Sequence, residues 1–207
     1  MTGEPDIFTE PEGFDVDTLR NLGPLRALAG VWEGRKSLDV SPKEGGANRQ
    51  DYIERIELQP IDPQTNGPQL LYGLRYHTHV VKPGEVQTYH DQVGYWLWEP
   101  ATKTVMHTLA IPRAQVALAV GQAEPDARQF EVRAKRGDTA FGICSGTFLE
   151  KNFRTESFMI RITANADGSW SYFEDTVLML HGREPFHHTD ENTLTKIAEP
   201  TPNPQAR

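Results

Sequence analysis

Short alternating segments separated by turn residues are the feature that most restricts how this chain can fold. From Gly30 onward, about ten segments rich in β-branched and aromatic residues follow one another, which is the pattern of short strands. Turn dipeptides such as Asn66-Gly67 and Pro83-Gly84 stand between them. The series predicts an all-β antiparallel barrel or sandwich, and a closed barrel leaves no edge strand and encloses a cavity. Residues 41–49 are expected to form a loop. The predicted strands are 30–40, 52–58, 70–81, 85–98, 104–111, 114–120, 129–134, 146–150, 155–163, 170–180 and 192–197.

Residues 14–29 hold the only segment with a helical pattern. Its leucines recur at every third position, namely Leu19, Leu22, Leu25 and Leu28. Pro24 is suited to open the last turn, where its missing N–H costs nothing, and Gly30 is a natural end. We therefore predict a short amphipathic helix that plugs one end of the barrel.

The charge of the chain argues against nucleic-acid and anionic-membrane partners. Its 207 residues carry 21 Lys and Arg against 29 Asp and Glu, a formal net charge of -8, with no basic cluster. No apolar run approaches the length that spans a bilayer. Cys144 is the only cysteine, so no intramolecular disulfide can form, and we expect this small residue to be buried.

We expect one β-barrel domain over residues 14–198, with disordered tails at 1–13 and 199–207. The first tail is acidic and contains prolines, which is the reverse of a secretory signal. The second contains three prolines and few apolar residues. Together with the single cysteine, these features predict a soluble, cytoplasmic protein.

Two adjacent histidines near the C-terminus are candidate ligands. His187 and His188 follow Phe186 and lie between the predicted strands 170–180 and 192–197. Imidazoles at a strand entrance, with an aromatic ring beside them, suit the binding of a ligand or a metal ion. The alternative is a solvated loop that happens to contain histidines.

The predicted strand 85–98 has one face suited to contact a ligand. Alternation along the strand groups the side chains of His90, Gln92, Gly94, Trp96 and Trp98. Tyr89 and Asp91 then belong to the opposite face. The first face offers an imidazole, an amide, two indoles and, at the glycine, room for a ligand or a neighbouring backbone. Ordinary core packing of the two tryptophans is the alternative.

A second histidine pair, His77 and His79, shares one face of the predicted strand 70–81. With His90, this pair defines a further hypothesis, a metal-dependent enzyme. Alternation also puts Arg75 on the face of these two histidines. A polar stripe that faces outward is therefore the better interpretation of the pair. The sequence contains no phosphate-binding loop, dinucleotide fingerprint or Cys-x-x-Cys motif.

Three segments resemble the nitrobindin-like, fatty-acid-binding-protein-like family of haem-binding barrels. Segment 30–34 (GVWEG) is similar to the opening strand of that family. Segment 90–95 (HDQVGY) is similar to its H-x-E-x-G-Y strand, with Gln92 in place of the usual Glu. His188 ahead of Leu194 resembles its C-terminal histidine-plus-leucine strand. The three matches occur in the family's order and extend over nearly the whole chain.

The resemblance implies a ten-stranded, calycin-like antiparallel barrel that holds haem b through a C-terminal histidine. His188 is then the implied iron ligand, with His187 as the alternative, and His90 belongs to the distal wall. The implied cofactor-binding residues are His188, His187, His90, Gln92, Trp96 and Phe186.

The resemblance also implies a reaction class, that of ferric haem with nitric oxide or peroxynitrite, including isomerisation of peroxynitrite to nitrate. Whether the protein is an enzyme is left open. The alternative function is a haem-free carrier of a fatty acid or another small hydrophobic ligand. The expected partner is in either case a small molecule in the cavity, without nucleic acid or membrane, and a homodimer is left open.

Overall fold

The alternating segments form fourteen strands in the computed structural model, which describes residues 6–35 and 37–202. They are β1 (Gly30–Gly34), β2 (Leu38–Lys43), β3 (Gly46–Gln50), β4 (Ile53–Pro60), β5 (Gln64–Asn66), β6 (Gln69–Val81), β7 (Thr88–Glu99), β8 (Thr104–Ile111), β9 (Gln115–Gln122), β10 (Gln129–Lys135), β11 (Ile143–Ser145), β12 (Phe153–Ala164), β13 (Trp170–Leu180) and β14 (Phe186–Ala198). Ten of them form a ring in the order β1, β4, β6, β7, β8, β9, β10, β12, β13 and β14, and β14 pairs antiparallel with β1 to close it. The predicted ten-stranded antiparallel barrel is therefore confirmed.

The remaining strands extend the wall of the barrel. β2 and β3 form a hairpin that pairs with β14, β5 pairs with β6, and β11 pairs with β9. The single strand predicted over 30–40 is divided into β1 and β2, which pair in succession with β14 with a shift of one residue in register between them. The predicted loop 41–49 is instead part of the hairpin, whose turn uses Gly46 at φ +117°.

The predicted helix over 14–29 is interrupted. The structure has two short pieces, α1 (Thr18–Asn21) and a 3₁₀ helix (Gly23–Leu28). Gly23 adopts φ +54°, and the following Pro24 has no N–H to donate, so a regular α-helix cannot continue through this point.

This pair of short helices closes one end of the barrel, as predicted. Leu22, Leu25 and Leu28 are fully buried. Trp32 on β1 is 1% exposed, and its Nε1 donates a hydrogen bond of 2.7 Å to the Leu28 carbonyl. A Cβ atom on Gly23 would lie 2.5 Å from the indole of Trp98, so the glycine lets the chain pass directly over that ring. Trp32 therefore belongs to the core.

One predicted strand, 146–150, is a helix instead, α2 (Thr147–Asn152). The Glu150 amide donates to the Gly146 carbonyl at 3.1 Å, which closes the first turn, and the Leu-Glu-Lys sequence that follows favours a helix. Cys144, in the neighbouring β11, is exposed, so the expectation that it is buried was wrong. Pairing with β9 holds this residue on the outside of the wall.

The end opposite the short helices is formed by connections between strands. Because neighbouring strands of the ring run antiparallel, the segments that follow β6, β8, β10 and β13 all lie at that end. α2 belongs to the third of these connections. We call this end the mouth and the other the closed end. Among the described residues, no helix has the length and apolarity needed to cross a membrane.

Candidate ligand-binding cavity

A cavity of about 1270 Å³ occupies the barrel on the mouth side, slightly more than the roughly 300–1,000 Å³ of ordinary ligand pockets. One part of its wall is apolar and carries Ile56, Leu58, Trp96, Leu109, Phe158 and Ile160. The part formed by β2, β13, β14 and the beginning of β4 with the residue before it is polar and carries Asp39, Tyr52, Glu54, Tyr172, Glu174, His188 and Asp190. We call this second set the polar wall. The cavity therefore suits a ligand that is mostly apolar but has at least one group for polar contacts.

The structure places the two C-terminal histidines on opposite sides of the barrel wall. β14 begins at Phe186, so the pair lies within a strand and not at its entrance, and alternation separates the two rings. His187 points outward, with its side chain 64% exposed, and its Nδ1 lies 2.8 Å from Asp175. His188 lines the cavity. Phe186 is half-buried at the start of the strand and is not among the residues that line the cavity.

Asp39 holds the imidazole of His188. The Nε2 of His188 lies 2.9 Å from Asp39 and 3.4 Å from Asp190. Asp39 is 2% exposed and also accepts hydrogen bonds from the hydroxyls of Tyr89, at 2.6 Å, and Ser41, at 3.0 Å. No described residue forms a hydrogen bond with the second ring nitrogen, Nδ1. One side of this imidazole is therefore fixed and the other is available.

Neighbouring carboxyl groups stabilise the protonated form of His188. Burial opposes that charge, yet the hydrogen bond to Asp39 and the charges of Asp190 and Glu174 together raise the pKa of His188. Burial also opposes the charge of Asp39, but the hydrogen bonds from His188 and Tyr89 outweigh it and lower the pKa of Asp39. The two side chains form a partly buried ion pair, which sequence reasoning missed because they are 149 residues apart.

Buried carboxyl groups continue the polar wall beyond this ion pair. Glu54 is 3% exposed and accepts hydrogen bonds from the Tyr172 hydroxyl, at 2.8 Å, and from Asn192 Nδ2, at 2.9 Å. Burial raises the pKa of Glu54 to about 7. Burial, with the neighbouring negative charges, also raises the pKa of Glu174 and of Asp190. A signal for Glu54 was present in the sequence, since it alternates with Ile56 and Leu58 on the inward face of β4.

β7 supplies the wall that was predicted from its alternation. His90, Gln92 and Trp96 line the cavity, while Trp98 is buried at the closed end. The prediction that Tyr89 lies on the face opposite His90 was wrong, because Tyr89 lines the cavity as His90 does. The pairing with β6 shifts register between Val80 and Val81, and this bulge turns Tyr89 inward beside His90.

A chain of hydrogen bonds runs from His90 along this wall into the core. His90 Nε2 lies 3.4 Å from Gln92 Oε1, and Gln92 Nε2 donates to the Tyr76 hydroxyl at 2.7 Å. That hydroxyl lies 2.9 Å from Nε2 of His107, whose ring stacks on Trp96 with centroids 3.9 Å apart. Burial lowers the pKa of His107 to about 3, so this imidazole is neutral at physiological pH. No local pattern in the sequence marked His107 as part of the cavity.

The remaining histidine pair lies outside the barrel. His77 is 2.9 Å from Asp91, and His79 is 3.1 Å from the Thr88 hydroxyl, both at exposed positions. His90 faces the cavity, so the three imidazoles of the metal-enzyme hypothesis do not meet. The outward polar stripe is the arrangement that the structure shows. Within the part of the chain that the structure describes, the one cluster able to supply three metal ligands is Asp39, His188 and Asp190.

The family of the chain follows from comparison with known proteins. No curated protein sequence matches it. Among solved structures, the crystal structure of Rv2717c from M. tuberculosis matches with a TM-score of 0.61 and 17% sequence identity, over 88% of this chain and 99% of that one. At this identity the match shows a shared fold. The model of the THAP4-like, heme-binding beta-barrel domain family matches residues 21–196. The chain therefore belongs to the THAP4-like, heme-binding β-barrel domain family.

Proposed function

We propose that the cavity binds haem b and that His188 is the iron ligand. The observation that carries this proposal is that His188 is the histidine of β14 whose side chain enters the cavity, while its neighbour His187 points to solvent. Family membership supports haem as the ligand class. The choice between the two histidines, open from the sequence, then follows from strand alternation.

The surroundings of His188 fit a metal-ligating imidazole. Such a ring usually presents one nitrogen to the metal and donates the N–H of the other to a carboxylate, which fixes its orientation. Asp39 supplies that carboxylate to Nε2 at 2.9 Å, and Nδ1 has no described partner. Binding of iron requires the ring to release the proton on Nδ1, which Asp39 can balance because it stays negatively charged.

The carboxyl groups of the polar wall favour a positively charged centre in front of His188. Asp190 lies 3.4 Å from the imidazole, and Glu174 contributes to the same electrostatic environment. Negative charge near an iron centre stabilises its more oxidised form. This arrangement supports ferric haem as the resting state.

His90 and Gln92 are placed to contact a small molecule in the same cavity. Burial lowers the pKa of His90, and the charges of Arg113 and His188 contribute in the same direction, which places these groups near one another. A neutral imidazole both donates and accepts a hydrogen bond, so His90 can orient an oxygen-bearing ligand. Bound haem would supply ferric-iron chemistry with nitric oxide and peroxynitrite, including the isomerisation of peroxynitrite to nitrate.

The test compares His188→Ala with His187→Ala, a matched control from the same strand. Each protein is reconstituted with haem and followed by the Soret absorbance, while circular dichroism reports whether the barrel is intact. We expect His188→Ala to lose stoichiometric haem and His187→Ala to retain most of it. Equal haem binding by both variants, or no stoichiometric binding by the unmodified protein, contradicts iron ligation by His188.

A haem-free carrier of a fatty acid or another apolar molecule is the second candidate. The observation that favours it is the ion pair with Asp39, which stabilises the protonated form of His188, and a protonated imidazole cannot bind iron. If the ring stays protonated, the apolar wall determines which ligand binds. A colourless protein that binds a fluorescent fatty acid, and that haem does not displace, supports this candidate.

A further inference from the structure

We infer that Arg113 forms a carboxylate-binding subsite at the mouth, with Lys43 as a second cation on another part of the rim, for an apolar ligand whose acid group remains at the entrance. This inference rests on the proposed function, because it requires a ligand in the cavity. It adds to that function the chemical class of the ligand and the direction in which the ligand enters. Both side chains line the cavity at the mouth.

Arg113 lies at the tip of the connection between β8 and β9. No hydrogen bond or ion pair joins its guanidinium to any described residue. Two other arginines near the mouth, Arg136 and Arg154, are each paired with a glutamate. Arg113 is therefore a cation at the cavity entrance that the described part of the protein does not neutralise.

The backbone beside Arg113 is held in an unusual conformation. Ala114 adopts φ +58°, in the left-handed region that residues with a side chain rarely occupy. The Ala114 carbonyl accepts a hydrogen bond of 2.7 Å from the amide of Gly146, just before α2. Strained turns that neighbouring structure holds in place are frequent at binding sites. This contact keeps Arg113 at the rim of the cavity.

Lys43 lies at the rim on the hairpin of β2 and β3. Arg183, from the connection between β13 and β14, donates to the backbone carbonyls of Lys43, at 3.1 Å, and Glu44, at 3.3 Å. These bonds fasten the hairpin to the mouth without using the ammonium of Lys43. Glu44 also lines the cavity and weakens the positive field on that side, so Arg113 is the stronger of the two cations.

The distribution of charge determines the orientation of the ligand. The basic side chain of the polar wall, His188, is already paired with Asp39, and Glu54, Glu174 and Asp190 repel an anionic group whenever they are ionised. An acid that enters the cavity therefore avoids this wall and keeps its carboxylate at the rim, where Arg113 is the stronger of the two cations. The apolar remainder lies against the side that carries Trp96 and Phe158. Two sources share this chemistry, a porphyrin with its propionate groups and a long-chain fatty acid.

The experiment measures the preference for a free acid over its ester. The probes are metal-free protoporphyrin IX and its dimethyl ester, and palmitate and methyl palmitate. Neither pair needs an iron ligand, so the result is independent of His188. The variants are Arg113→Gln and Lys43→Gln, with Arg75→Gln as the control, because Arg75 is an exposed arginine on the outer face of β6.

We expect the unmodified protein to bind at least one free acid more tightly than its ester. Arg113→Gln should weaken binding of that acid roughly fivefold, the size expected for one solvent-exposed charge, and leave the ester unchanged. Lys43→Gln should have a smaller effect in the same direction, and Arg75→Gln none. Added salt should reduce the preference. The acid that shows the effect identifies the source.

Equal binding of acid and ester, no binding of either acid, or an unchanged preference in Arg113→Gln overturns the subsite. These outcomes are separate from failure of the proposed function. If His188→Ala retains haem while Arg113→Gln loses the acid preference, iron ligation by His188 is wrong and the subsite stands. The reverse result leaves the haem ligand in place and removes the subsite.

Discussion

The closed end and the mouth of this barrel are built from the same strands but are filled differently. At the closed end, Leu22, Leu25, Leu28 and Trp32 are almost completely buried against one another. Toward the mouth, the same strands surround a cavity of about 1270 Å³ and carry buried carboxyl groups on its wall. The difference shows a division of roles along the barrel axis, with packing that stabilises the fold at one end and a site for a ligand at the other.

The site reduces the stability of the fold, and the closed end compensates. A cavity removes packing contacts, and a buried carboxyl group loses hydration that its hydrogen bonds only partly replace. Glu54 shows this, because burial raises its pKa to about 7 although Tyr172 and Asn192 both donate to it. Substitutions at the closed end should therefore affect mainly stability, and substitutions at the polar wall should affect pH dependence and ligand binding.

The largest expected effect is on the closed end. Trp32→Ala should reduce the free energy of unfolding by roughly 3–5 kcal/mol, the range for removal of a large buried aromatic side chain. Phe148→Ala is the matched substitution at the mouth, where Phe148 is 67% exposed. It should change the free energy by less than about 0.5 kcal/mol. Urea denaturation at constant m-value measures both, and similar losses from the two variants contradict the division between the ends.

The next largest effect is the pH dependence that Glu54 confers. Its pKa is about 7 in the folded protein and 4.5 as the reference value, so the folded state binds more protons between these limits. Stability contributed by this group is present below pH 4.5 and is lost as the pH rises to about 7. At about 1.4 kcal/mol per pKa unit, the loss is about 3 kcal/mol.

Glu54→Gln tests the direction of this pH dependence of stability. The glutamine retains an oxygen to accept from Tyr172 and Asn192 but does not ionise. The stability of the variant relative to the unmodified protein should therefore increase between about pH 4.5 and 7 and then remain constant. The measurement is denaturation of both ligand-free proteins across this range. A difference that is independent of pH shows that Glu54 ionises normally in the fold.

The two ends also differ in how well the sequence predicted them. The leucines of residues 14–29 and Trp32 belong to one short stretch, so local periodicity was enough to predict a plug. The polar wall depends on contacts between distant strands, such as Asp39 with His188 and Glu54 with Tyr172. Single-sequence patterns contain no information about which strands pair around the barrel.

Errors at the mouth have local physical causes as well. The strand that carries His187 and His188 begins at Phe186, directly after Pro185, and not at residue 192 as predicted. Alternation separates the two rings once this start is known. Tyr89 was placed on the wrong face because a bulge in the pairing of β6 with β7 interrupts the alternation. The predicted line of His90, Gln92 and Trp96 was correct because no irregularity lies between them.

The smallest expected effect is that of deleting the N-terminal tail, which tests at which residue the closed end begins. We propose that the domain consists of residues 14–198, so deletion of residues 1–13 should lower the free energy of unfolding by less than about 1 kcal/mol. The described part of this tail, residues 6–13, is almost entirely exposed.

Among the described residues, the first hydrogen bond from the N-terminal segment to the barrel is at Asp15, whose carbonyl accepts from the Tyr72 hydroxyl at 2.8 Å. Asp17 caps α1 by accepting from the Arg20 amide at 3.1 Å. Deletion of residues 1–17 removes both contacts and should cost about 1–2 kcal/mol more than the shorter deletion, since loss of a helix cap alone costs about 1 kcal/mol. Thermal and urea denaturation of the two truncated proteins at equal concentration measures the step. If the shorter deletion already produces the full loss, residues 1–13 belong to the plug, and the closed end extends further along the chain than the leucine pattern predicts.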